Sequence, residues 1–145
     1  MGMSLGFHIC FTAIGIGLPL LLLIAEGISL RTGDATYRVL AKRWGRVAAV
    51  LFAVGAVSGT ILSFEFGLLW PTWIDFSGSI IGMPFALEGF AFFTEAIFLG
   101  IYIYGWDRLS ARAHWLCSIP ITIASALSAF LVISANSWMS HKKIV

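Results

Sequence analysis

Charge is what this sequence has least of. Asp, Glu, Lys and Arg make up only 11% of its 145 residues, against 59% hydrophobic ones, and the mean hydropathy is +0.95. A soluble domain of this size could not cover its surface with so few charges, so lipid must serve as the solvent. Cysteine is nearly absent as well. Cys10 and Cys117 both fall in apolar stretches with no C-x-x-C or zinc spacing, and read as packed, unpaired thiols. A basic leader with a small-residue cleavage site is missing, which argues against a cleaved signal peptide. Gly6 stands where a myristoylation signal needs Ser or Thr. There is no P-loop, H-E-x-x-H, G-x-S-x-G or dinucleotide fingerprint, so nucleophilic catalysis has no support. The net charge of +2 sits in short connections and offers no basic face to nucleic acid.

What the sequence does have is four long apolar runs. Crossing the hydrocarbon core takes about 20 apolar residues in a helix, and residues 7–30, 47–70, 85–104 and 115–138 satisfy this. A backbone without water partners must bond within its own segment, so each run reads as a continuous helix. The runs are too long and too uniform for strands. The expected fold class is all-α: one membrane domain over residues 1–145, with four transmembrane helices. The connection 31–46 carries Arg31, Arg38, Lys42, Arg43 and Arg46 against Asp34. The connection 71–84 carries only Asp75, and 105–114 carries Asp107, Arg108 and Arg112. Seven of the nine Lys and Arg residues thus share one side, and the positive-inside rule makes that side cytoplasmic and the N-terminus external. Lys142 and Lys143, on the opposite side, count against this. Trp44, Trp106 and Trp115 map to inner helix ends and Trp70, Trp73 and Trp138 to outer ones, as an aromatic belt requires. Gly55 and Gly59 form a G-x-x-x-G pair for close helix packing, and Ser125, Ser128, Ser134 and Asn136 supply polar atoms that can bond between helices.

An ionisable residue within a span is a functional candidate, because its charge is expensive there. His8 lies near the outer end of the first helix and Glu88 near the outer start of the third. Glu65 lies 18 residues into the second apolar run, ~27 Å from its inner end. Glu95 follows Glu88 by seven residues, placing both on one helix face with Glu95 ~10 Å deeper. Two carboxylates so placed repel if both ionise, so at least one is expected to hold or exchange a proton. Ser128 on a neighbouring helix could extend this file into a proton path; the plainer alternative is neutral, structural carboxyls. His8 reads either as a helix-end histidine or as an axial haem ligand. His114 and His141 lie at helix ends, which argues against a bis-histidine low-spin haem between these helices. Glu26, near the inner end of the first helix, is expected to snorkel to the interface or pair with an arginine of the first connection.

Several runs together resemble one family. Ser63-Phe64-Glu65-Phe66-Gly67 leads to Trp70, followed by Ala86-Leu87-Glu88-Gly89-Phe90-Ala91-Phe92-Phe93-Thr94-Glu95 and Tyr104-Gly105-Trp106-Asp107-Arg108-Leu109. With Gly6-Phe7-His8, Leu127-Ser128-Ala129-Phe130 and Ala135-Asn136-Ser137-Trp138-Met139, they are similar in order and spacing to subunit I of cytochrome bd quinol oxidases. The resemblance covers residues 5–139. It implies a terminal oxidase that oxidises quinol, reduces dioxygen to water and uses three haems in a multi-pass complex of a bacterial or archaeal plasma membrane. Its partners would be oxidase subunit II, small accessory subunits and membrane lipids. His8 would be the axial ligand of a high-spin haem, either haem d or a high-spin haem b. Glu88 would lie at that haem, and Glu95 with Ser128 would belong to a cytoplasmic proton path.

The departures from the family pattern are as specific as the matches. Family members run to about nine helices, so this chain corresponds to an N-terminal portion, expected to be a fragment that is not active alone. The ligands of the low-spin haem b, the quinol-binding loop and the glutamate ligand of the other high-spin haem have no counterpart here. The Arg-x-Gln stretch before the first helix is also missing, the tail 140–145 diverges, and Glu65 stands where the family commonly has glutamine. A second reading, without haem, is a small proton-conducting or scaffold bundle.

Overall fold

The computed structural model describes residues 1–141, and within them every long element is a helix. These are α1 (Gly2–Thr32), α2 (Ala35–Leu69), α3 (Pro71–Tyr104) and α4 (Ala111–His141). All four are long and apolar enough to cross a membrane. The chain runs up and down, so one end of the bundle carries the N-terminus and the α2–α3 junction. The other, called the basic end below, carries the α1–α2 and α3–α4 connections. Neighbours pack in sequence, α1 on α2, α2 on α3 and α3 on α4, and α4 closes the ring against α1.

The helices are longer than the apolar runs suggest, and the connections correspondingly shorter. Of the expected connection 31–46, only Gly33 and Asp34 are non-helical. Gly33 takes φ 74° and returns its N–H to Ser29 O, a left-handed cap that a residue with a Cβ adopts only with strain. Asp34 then caps α2 by accepting the Thr36 N–H at 2.8 Å. The segment 71–84, expected as a loop, is instead the first part of α3. Pro71 sits at the start of that helix, where its missing N–H breaks nothing, and Pro84 lies inside it. Interior prolines are tolerated in membrane helices because neighbouring groups take up the freed carbonyl. Pro19 in α1 and Pro120 in α4 are further cases. At 34 residues, α3 is ~51 Å long, against a hydrocarbon core of ~30 Å, so it tilts or projects beyond it. Lys142 and Lys143, which weighed against the expected orientation, lie outside the described residues.

Packing is tightest toward the basic end. Leu18, Leu22, Ala41, Ala48, Leu99, Tyr102, Trp106 and Ile121 form one buried cluster drawn from every helix and the α3–α4 turn. Phe52 of α2 stacks on Phe92 of α3 with centroids 4.7 Å apart. Trp106, expected in the interfacial belt, belongs to this core at 7% exposure. Trp115 donates its indole N–H to Leu23 O at 3.0 Å, tying α4 to α1. Toward the other end, large side chains such as Phe64, Phe76, Phe85 and Phe90 remain exposed.

Candidate functional site

His8 of α1 is half-buried against α2. Its Nδ1 lies 2.8 Å from Ser58 Oγ. The Ser58 hydroxyl has one hydrogen, and its oxygen lies 2.8 Å from Val54 O and 3.1 Å from Gly55 O, carbonyls that can only accept. With the hydroxyl hydrogen turned to its own helix, Ser58 Oγ accepts from His8 Nδ1–H. In that arrangement the Nε2 lone pair is available, the form in which a histidine binds a metal. The ring can approach α2 because position 59 is glycine. A Cβ there would meet His8 Cε1 at 3.1 Å, whereas at Gly55 the nearest atom would be Thr12 Oγ1 at 4.0 Å. The G-x-x-x-G pair thus faces α1, and one of its members seats the histidine.

Among the described residues no three His, Cys, Asp or Glu side chains gather to hold a metal ion. A lone imidazole with a free Nε2 suits a metal whose other ligands come from a macrocycle, as in haem. The residues therefore fit such a group.

The carboxylates stand around this histidine as follows. Glu88 of α3 is close enough for its charge to act on the His8 ring, and its Oε1 accepts from Ser128 Oγ of α4 at 3.0 Å. Glu95, two turns along α3 toward the basic end, lies within electrostatic reach of Glu88. Ser128 pairs with Glu88, and it is Ser125 that lies beside Glu95. The Ser125 hydroxyl is buried and makes no hydrogen bond of ordinary geometry with it. Glu65 faces the N-terminus: its Oε1 accepts from Ser4 Oγ at 2.8 Å and its Oε2 lies 3.4 Å from the Met1 amino group. Its partners thus belong to the start of α1, whereas those of Glu88 and Glu95 belong to α4.

One buried site was not apparent in the sequence. Glu26 neither snorkels nor pairs with an arginine. It is 4% exposed, and its Oε1 lies 2.6 Å from Nδ1 of His114, itself 2% exposed. The two are 88 positions apart, a separation at which no local spacing rule operates. The one available signal was that a Glu and a His both map to the basic end.

A multi-pass helical bundle with a ligand-ready histidine and a file of carboxyls behind it is the class that fold and site define. A family profile described as cytochrome bd terminal oxidase subunit I matches residues 1–142. The chain belongs to the cytochrome bd oxidase subunit I family. It is 39% identical over 137 residues to a putative cytochrome bd menaquinol oxidase subunit I of Bacillus subtilis, covering 94% of this chain and 31% of the relative. To the cytochrome bd-II ubiquinol oxidase subunit 1 of Escherichia coli it is 36% identical over 136 residues, 93% of this chain and 26% of that one. The solved structure of bd oxidase from Geobacillus thermodenitrificans superposes with a TM-score of 0.90 at 42% identity, covering 94% of this chain and 32% of that one. The chain thus spans between about a quarter and a third of the length of these proteins.

Proposed function

We propose that this chain forms the N-terminal part of a terminal quinol oxidase, in which quinol is oxidised and dioxygen is reduced to water. His8 would hold a high-spin haem, either haem d or haem b, through its imidazole. Glu88, Ser128 and Glu95 are the protein side of its proton supply. The observation that carries this reading is the 2.8 Å contact between His8 Nδ1 and Ser58 Oγ; with Nδ1–H donating, Nε2 would be unprotonated for iron. A haem bound there supplies the iron that takes dioxygen and passes it electrons.

The chain's own groups orient and deliver. Ser58 holds the His8 tautomer. Glu88, beside the histidine, would hold a proton for the reduction of dioxygen, and Ser128 fixes its Oε1 by donating at 3.0 Å. Glu95 lies two turns nearer the basic end and reloads Glu88. The basic end, with Arg31, Arg38, Arg43 and Arg46, is then the cytoplasmic side from which protons enter, and the N-terminus is external. Quinol oxidation and the low-spin haem b belong to segments beyond these four helices. Oxidase subunit II, accessory subunits and membrane lipids complete the assembly in a bacterial or archaeal plasma membrane.

The test is His8→Ala in the membrane complex that contains the chain. The expected result is loss of one high-spin haem band from the reduced spectrum and of dioxygen consumption, while the complex still assembles. Unchanged haem content overturns the ligand assignment. A colourless wild-type complex whose liposomes leak protons until Glu95→Gln is introduced would favour the haem-free, proton-conducting bundle instead.

A further inference from the structure

The basic end holds a second polar site that the proposed oxidase chemistry does not use. His114 of α4 makes two contacts, Nδ1 to Glu26 Oε1 of α1 at 2.6 Å and Nε2 to the carbonyl oxygen of Tyr102 at 2.8 Å. A carbonyl can only accept, so Nε2 carries a hydrogen. What remains open is the proton between Nδ1 and Oε1. It sits either on nitrogen, giving imidazolium and carboxylate, or on oxygen, giving two neutral groups.

Three features of the surroundings decide for the charged form. Tyr102 lies in the last turn of α3, where carbonyls lack intrahelical partners and the helix dipole presents its negative end; a cation is favoured there. The imidazole lies against two aromatic rings, with centroids 4.3 Å away at Tyr102 and 4.1 Å at Trp106, and ring faces attract cations. The carboxyl lies 2.6 Å from Nδ1, in direct contact, where an ionised Glu26 serves as the counter-ion. We propose that His114 is a doubly protonated imidazolium capping the C-terminus of α3, with ionised Glu26 as its counter-ion. The pair forms a buried clasp that joins α1, α3 and α4 and seats Trp106 and the turn 105–110.

The other ionisable groups nearby leave this pairing intact. From α2, Arg38 and Lys42 stand over the Trp106 ring at 5.9 and 5.7 Å. Asp107, on the turn, is exposed and lies 4.0 Å from Lys42. From α3, the Tyr102 hydroxyl lies beside the Glu26 carboxyl; neither it nor Glu26 Oε2 has a hydrogen bond of ordinary geometry. On α4, the Cys117 thiol is within electrostatic reach of Glu26. Glu26 and His8 are 18 residues apart on α1, ~27 Å along its axis. The clasp is therefore independent of the haem reading and stands whether or not that reading does.

The direct test is solid-state NMR on the wild-type complex in membranes, with histidine labelled by 15N and glutamate by 13C at the side-chain carboxyl. Dipolar coupling between a histidine nitrogen and a glutamate carboxyl carbon that disappears in His114→Gln identifies the His114 ring. Signals of two protonated nitrogens on that ring are expected; one protonated and one bare nitrogen overturns the proposal. The Glu26→Gln variant asks the same question by stability. An amide N–H would replace a carboxyl O–H as donor to Nδ1, so neutral partners tolerate the change. An imidazolium instead loses its counter-ion, and the melting midpoint of the complex falls. In that case adding His114→Gln restores part of the loss. A Glu26→Gln complex that melts with the wild type overturns the clasp.

Discussion

The two ends of the bundle treat a histidine in opposite ways. At the N-terminal end His8 is half-buried, its ring engaged on the α2 side by Ser58 and the Gly55 backbone, and in the proposed function it keeps Nε2 for a ligand. At the basic end His114 is enclosed, and both nitrogens are engaged within the protein. Exposed phenylalanines accompany the first and the densest part of the core surrounds the second. The same side chain thus serves as an open ligand where packing is loose and as a closed crosslink where it is tight. Residue type alone does not say which; the partners of the two ring nitrogens do.

Breaking the closed end is expected to have the larger effect on folding. His114→Ala would leave Glu26 buried without its partner and the Tyr102 carbonyl without its donor. Removing one member of a buried pair costs about 3–5 kcal/mol. Thermal denaturation of the complex in detergent is the measurement, and a midpoint equal to that of the wild type would break the comparison from this side. At the open end, His8→Ala should affect pigment far more than melting.

A finer probe at the open end is Ser58→Ala. It keeps the ligand but removes the acceptor that holds its tautomer, and the loss of such an outer partner typically weakens metal binding by about 10–100-fold. Titrating haem against the complex, or following its release, measures this. Unaltered affinity would mean that Ser58 does not set the ring. Gly59→Ala should act on the same ring by contact, since the new Cβ would lie 3.1 Å from Cε1 and push the imidazole off its axis. A shifted high-spin band is expected for Gly59→Ala and an unshifted one for Gly55→Ala, where the nearest atom would be 4.0 Å away.

The open end was far more legible in the sequence than the closed one. Four helices followed from apolar length, because a membrane leaves an apolar backbone few alternatives. His8, Glu88 and Glu95 stood out because an ionisable residue in a span is rare, and the shared face of Glu88 and Glu95 follows from helical spacing. Ser58 passed unnoticed, since a hydroxyl in a helix is common and only its distance to His8 gives it a role. Glu26 was assigned to the interface because it lies near a helix end next to arginines. Its enclosure by Tyr102 of α3 and His114 of α4 was not visible from that position. The start of α3 was taken for a connection between apolar runs, yet Pro71 begins the helix and Pro84 sits inside it. In both cases tertiary surroundings overrode a sound local expectation.

The smallest effect concerns the connection that makes the basic end so compact. Asp34 accepts the backbone N–H of Thr36, and this bond, with that of the Thr36 side chain, holds its carboxyl below the ordinary aspartate range. A carboxyl whose folded-state value is depressed contributes stability above its unfolded value and loses it as pH falls through the folded one. The first turn of α2 should therefore fray only in acid, below the range where a free aspartate titrates. Amide hydrogen exchange at Thr36, followed as the pH is lowered and corrected for the intrinsic rate, measures this. Asparagine caps a helix about as well as aspartate without titrating, so Asp34→Asn should keep the protection and abolish its acid dependence. If both proteins lose protection together, the acid-sensitive group lies elsewhere, and the stability of the basic end does not begin at this cap.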